Sequence, residues 1–221
     1  MVLAGALGTV VPDITLTPIS LTYSGSTGGT DWNLGFFASA SQNFPLEASR
    51  SSESDFRSSR ADARAGYRVY RYGANFLKQF PTDVQVKVGF NGQHSEHALV
   101  SPEQFGIGGF ENVRGMYERE FSNDRGYRLN LEAYTPDFAP KLGWTDFRAR
   151  VMIFLDSATT SRNSVQPGEQ SGFSATSWGL GLRLQYRKEA SFRIDFGEIL
   201  DGNGASERGD KRVHGAFAYT F

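Results

Sequence analysis

At 221 residues the chain has room for one sizeable domain, and its formal net charge of −1 leaves no basic excess of the kind that marks a nucleic-acid binder. Zero cysteines exclude disulfide scaffolds, thiolate metal sites and cysteine nucleophiles, and suit an envelope protein. A mean hydropathy of −0.40, with no run near the roughly 18 apolar residues of a spanning helix, excludes a helical membrane protein but not a membrane barrel, and 18 Phe and 9 Tyr beside 25 Gly favour strands and turns, so the expected class is all-β.

In chain order, Met1 to Val11 has no Lys or Arg ahead of its apolar stretch and no small-residue cleavage site, so it does not read as a signal peptide. If the protein is exported, its address lies outside this chain; residues 1–12 read as a leading segment or partial strand. Period-two alternation then begins. Strands are expected near 14–23 (Ile19, Leu21, Tyr23, with Pro18 blurring the pattern), 32–42 (Trp32, Leu34, Phe36) and 63–77 (Tyr67, Val69). Val84, Val86, Val88 and Phe90 oppose Gln85, Lys87, Gly89 and Asn91; Tyr127, Leu129 and Leu131 oppose Arg128, Asn130 and Glu132. Along 147–156 the second face carries Arg148, Arg150 and Asp156 even in mid-strand. Trp178 to Tyr186, Phe192 to Phe196 and Val213 to Phe221 repeat the alternation. That makes about nine strands, each near the roughly ten-residue length of a tilted membrane strand.

The connections separate a barrel from a soluble sandwich better than the strands do. Short ones (24–30, 79–82, 136–143, 188–190) alternate with long polar ones (44–62, 92–125, 157–172, 201–210). Outer-membrane barrels have this rhythm, with tight periplasmic turns and long outer loops, and it puts the C-terminus on the periplasmic side. The Ser/Arg-rich stretch 49–64 suits a solvated outer loop. An odd set of nine strands cannot close an antiparallel barrel. Either the chain is the C-terminal portion of a longer barrel, or Val2 to Val10 supplies a tenth strand.

The long connection 92–125 is the unusual segment. Loops beyond about 15 residues are functional or disordered, and Phe105, Ile107, Phe110, Val113, Met116 and Tyr117 argue against disorder. It is expected to fold back into the lumen. Arg114 is the one basic residue at its glycine-rich tip (Gly106, Gly108, Gly109, Gly115), and an Arg there needs a carboxylate; Asp156 is on the polar face of its strand by parity. Glu132 and Asp195 share that face with Arg128, Arg183 and Arg193, which reads as charge balance in a polar pore. Other constellations carry little. His94 and His97 lack a third ligand and read as a solvated loop rather than a metal site. Gly106-Ile107-Gly108-Gly109 has no following Lys-Ser/Thr and no helix to make a phosphate cradle. His214 points into the lumen, but no serine is singled out to join it in a hydrolase dyad. No catalytic residue, metal or cofactor is expected.

Several of these runs resemble a known family. Glu103-Gln104-Phe105-Gly106-Ile107-Gly108-Gly109, Val113-Arg114-Gly115, Asn123-Asp124-Arg125-Gly126-Tyr127 and Thr135-Pro136 resemble the signature of two-partner secretion transporters, the haemolysin secretion/activation family. Phe154-Leu155-Asp156 resembles its second lumenal motif, Gly179-Leu180-Gly181-Leu182-Arg183 its antepenultimate strand, and Gly209-Asp210 to Phe221 its closing strand. The resemblance implies a sixteen-stranded transmembrane barrel in the bacterial outer membrane, of which this chain is the C-terminal part, without the POTRA domains and signal peptide. It implies a lumenal loop motif of Gly108, Gly109, Val113, Arg114, Gly115 and Tyr117, bonded to Phe154 and Asp156 on the wall. Phe217, Tyr219 and Phe221 become the C-terminal insertion signal read by the outer-membrane assembly machinery. The implied function is passage of an unfolded exoprotein cargo across the lipid bilayer; an assembly factor of the same superfamily and, from another class, an outer-membrane lipid hydrolase are the alternatives. In two places the sequence departs from the family: Met116 stands where an aromatic usually follows Arg-Gly, with Tyr117 one further on, and Ala158 replaces a frequent Gly.

Overall fold

A computed structural model describes residues 13–46 and 49–220. Nine strands form one antiparallel sheet: β1 (Pro18–Gly28), β2 (Trp32–Asn43), β3 (Arg68–Gln79), β4 (Gln85–His94), β7 (Arg125–Tyr134), β8 (Phe147–Ser161), β9 (Gly172–Tyr186), β10 (Ala190–Gly202) and β11 (Lys211–Tyr219), each paired with its predecessor in that order. A small hairpin, β5 (Phe105–Ile107) with β6 (Phe121–Asn123), lies within the excursion between β4 and β7. Pro18 opens β1 at the edge of the sheet, where its missing N–H costs no ladder bond.

Alternation gives the sheet two unlike faces. Its outer face carries Leu21, Ile153, Trp178, Leu180, Phe196, Val213 and Phe217, all exposed, because a membrane strand turns its apolar residues to lipid rather than to protein. Aromatic clusters bound this band. Trp144, Phe147 and Tyr186 meet as tilted rings at the end bearing the turns 29–31, 80–84, 135–146 and 187–189, while Tyr72, Phe90 and Tyr127 meet in the same way across three strands toward the other end. The sheet curls strongly, since one cavity is lined both by Asn33 of β2 and by Asp195 of β10. The architecture is an antiparallel transmembrane β-barrel, present as an unclosed arc among the described residues.

Loops alternate in side as the sequence predicts, but their lengths are less regular. β8 runs to Ser161 and β9 starts at Gly172, so strand takes up part of the expected long connection and leaves 162–171, and 135–146 outlasts 203–210. The solvated outer loop expected over 49–64 is also not what forms. Residues Glu53–Ser59 make a helix, α1, capped by Ser52 and Asp55 in a reciprocal box. Its Phe56 is fully buried against Ala63, Ala65, Tyr67, Val69, Leu99 and Val100. The polar composition of the stretch conceals a few apolar residues at positions that meet the next loop.

Candidate functional site

The register across the sheet sets the site. Asn130 of β7 lies opposite Asp156 of β8, Glu132 opposite Phe154, and Asp195 of β10 between Gly181 and His214. All of these polar side chains project to the inner face, and the segment between β5 and β6 descends onto them.

Its tip residue, Arg114, is held by several strands at once. Arg114 donates from Nε to Asp156 Oδ2 at 2.8 Å and from Nη2 to Asp156 Oδ1 at 2.7 Å, the two-point fork that suits a guanidinium. The Arg114 backbone N–H also donates to Asp156, at 3.1 Å. Nη1 donates to Glu132 at 2.7 Å and lies 3.5 Å from Asp195, whose carboxylate is itself forked by Arg183. The guanidinium stacks on the Phe154 ring at 3.7 Å. Only 4% of the Arg114 side chain and none of Asp156 meets solvent. Asn130 completes the Asp156 shell, donating its amide both to that carboxylate and to the Asn112 carbonyl of the loop. Arg114 thus meets three carboxylates, one of which, Asp195, it shares with Arg183, so each of these buried charges has a partner, as burial requires.

The backbone around the tip is glycine-dependent. Gly108, Gly109 and Gly115 have φ of 102°, 105° and 99°, in the left-handed region that side chains disfavour. Gly115 N–H donates to His214 Nε2 at 3.2 Å, and a Cβ on Gly197 of β10 would stand 2.8 Å from Gly115 N. Bare β10 backbone is thus what lets the loop approach the wall. Between the charges and the loop ends of the strands, Val113, Met116 and Ile107 pack with Ala158, Phe173, Ala175 and Ile199 in a second buried cluster.

Met116, which follows Arg-Gly here, fills that cluster, whereas Tyr117 is exposed under the Arg212 guanidinium. Ala158 sits in the same cluster. Phe217 and Tyr219 lie on the exposed outer face of β11, and Phe221 falls outside the described residues, as does the tenth strand expected over 2–10. No group of three metal-ligating side chains occurs among the described residues; His97 Nδ1 instead accepts the Arg68 amide. Four contributors are not assigned to the loop by the sequence. Glu132, Asp195 and His214 were assigned to the polar face but not to the loop, and Gly197 carried no signal beyond its place in the alternation of β10.

A second polar centre lies among the outer loops. Asp124 is fully buried and accepts both guanidinium nitrogens of Arg60, the Leu99 amide at 2.8 Å and the Asn163 amide at 2.6 Å. Asn163 in turn donates to the carbonyls of Ser95 and His97. One carboxylate therefore ties together the connections 44–67, 95–124 and 162–171.

Comparison with known proteins bears on the family and the fold. The family "Haemolysin secretion/activation protein ShlB/FhaC/HecB" matches residues 10–184. Among solved structures, CdiB from Escherichia coli superposes with a TM-score of 0.75 at 19% identity over 93% of this chain, and CdiB from Acinetobacter baumannii with 0.61 at 17% over 90%. The chain spans 37% and 32% of those two proteins, about a third of their length. No curated protein matches by sequence. With the family covering most of the residues and the barrel arc shared, this chain belongs to the haemolysin secretion/activation family ShlB/FhaC/HecB, outer-membrane β-barrels of two-partner secretion and not enzymes.

Proposed function

We propose that this chain forms part of a pore that passes an unfolded exoprotein from the periplasm to the cell surface, and that the segment 92–125 is a movable brace inside it. The observation that carries this reading is the Arg114 clamp on Asp156 and Glu132. A loop whose sole purpose was to fill space would be held by apolar contact alone. This one is pinned, beyond its apolar contacts, by a guanidinium whose bonds to Asp156 and Glu132 are made or lost together, which is the character of a two-state element. Releasing it frees the space it fills without unfolding any strand, because the ladder bonds of β7 to β11 do not involve it. Passage needs no nucleotide in this scheme; folding of the cargo outside provides the direction.

Phe217 and Tyr219, at the end of β11, are on this reading the residues offered to the outer-membrane assembly machinery. Fused into the full-length transporter and co-expressed with its exoprotein, Arg114→Ala is expected to abolish or sharply reduce secretion while barrel abundance in the outer membrane stays near normal. Secretion at the unmodified level would refute the brace; lost abundance would instead mark Arg114 as an assembly residue.

A further inference from the structure

The inner face of the sheet is chemically divided. On β7 to β10 it is strongly charged: Glu132, Asp156, Arg183, Arg193 and Asp195 are all there, and the loop with Arg114 covers them. On β1 to β4 it is almost neutral. Arg71 and Lys87 are its charged side chains among the described residues, and Arg71 is tied to Glu103. The rest is mainly hydroxyl and amide, with Phe37, Leu77 and glycines between them. Thr22 bonds Ser39 across the β1–β2 pair at 3.0 Å, Ser20 bonds Ser41 at 2.9 Å, and Asn33, Asn75 and Asn91 follow on successive strands. The side-chain amides of those three asparagines make no hydrogen bond among the described residues, and Asn33 and Asn75 are exposed. A cavity of about 380 Å³ separates them from Arg114, Glu111 and Arg193 on the loop side.

We infer that this neutral strip is the track along which the exoprotein main chain moves, an inference that rests on the transport reading above. An extended peptide presents an N–H and a C=O at each residue. An asparagine amide donates and accepts, and a hydroxyl does the same, so the strip matches the backbone of any sequence. It carries little charge with which to hold an acidic or basic cargo side chain, whereas the β7–β10 face bears both signs and would hold charged cargo side chains of either. Exchange of one amide partner for another along the strip keeps every bond weak and replaceable, which a sliding chain needs.

The absence of cysteine from the chain leaves no native thiol among these strands to compete in the test. In the full-length transporter, single substitutions Asn75→Cys and Asn91→Cys report on the strip, and Gln185→Cys and Ser191→Cys on the inner face of β9 and β10. The probe is the transporter's own exoprotein, stalled in transit by a disulfide-locked C-terminal domain and carrying one cysteine in the stalled stretch. Mild oxidation is expected to give mixed disulfides at positions 75 and 91 several-fold above those at 185 and 191. Equal or reversed yields overturn the track while leaving transport intact. Adducts at none of the four positions, with the exoprotein stalled, overturn the track and the transport reading together.

Discussion

Arg114 meets Asp156 through a planar fork and Glu132 through its remaining nitrogen, and no other cationic side chain reproduces that. Lysine has one compact ammonium. Arg114→Lys is expected to retain one of the two carboxylate contacts and to give secretion between wild type and Arg114→Ala, read by the amount of exoprotein in the medium. Truncation to alanine strands Asp156 in a site with no solvent, a loss of about 3–5 kcal/mol for the docked loop by the general cost of breaking a buried pair. Asp156→Asn in the Arg114→Ala background removes the stranded charge, so its loop is expected to be less protease-sensitive than that of Arg114→Ala alone. Gly197 tests the same contact from the wall. Gly197→Val places carbon within 3 Å of Gly115 N and Arg114 C, both backbone, so the tip must move away. Faster limited proteolysis between 108 and 117 with an intact barrel is the expected signature, and unchanged cleavage would show that the loop does not need this close approach.

Elements add a second layer, in which loops are fastened to one another rather than to the wall. Asp124→Ala leaves the amides of Leu99 and Asn163 and the guanidinium of Arg60 without their acceptor. α1 and its Phe56 cluster are then expected to detach, seen as new cleavage by external protease within 49–67 on intact cells; protection at the wild-type level would show that the apolar cluster suffices by itself. At the opposite end, the turn residue Asp83 accepts the Arg150 fork and the Asp137 amide. The Arg150 bonds, and then the Asp137 amide, hold the Asp83 carboxyl below its ordinary value. A depressed carboxylate stabilises the fold above its unfolded pKa of about 3.9 and loses that contribution as pH falls through the lower folded value. The contact between turns 80–84 and 135–146 is therefore expected to loosen only below about pH 4, and Asp83→Asn should remove that pH dependence of proteolysis at the 135–146 turn.

At the scale of the whole molecule, the sheet has two edges among the described residues, β1 and β11. Unpaired N–H and C=O groups are not tolerated in hydrocarbon, and β1 also turns Ile19, Leu21 and Tyr23 outward. In the membrane-embedded protein the amides of β1 are expected to resist hydrogen exchange as well as those of β8 and β9. Fast exchange confined to β1 would mean that this edge stays open. Exchange also offers a check on the brace, since amides at 113–116 should exchange faster in Arg114→Ala than in wild type with the strands unchanged.

What the sequence determined by itself was local and periodic. Side chains of a strand alternate between two faces, so Ile153 and Leu155 against Phe154 and Asp156 were legible without a structure, as was the side of the sheet to which each long loop belongs. The run from Gly108 to Gly115 announced a folded tip because its glycines and apolar residues cannot serve a solvated loop. Which groups would meet at that tip was decided only by the tertiary structure. Glu132, Asp156, Asp195 and His214 are spread over four strands, and their distances to residues 114 and 115 depend on register and on the curl of the sheet, neither of which leaves a period in the sequence. The same holds for Asp124, whose partners Arg60, Leu99 and Asn163 come from three separate connections. Period two tells each side chain which way to face; only the closure of long-range pairs tells it what it will find there.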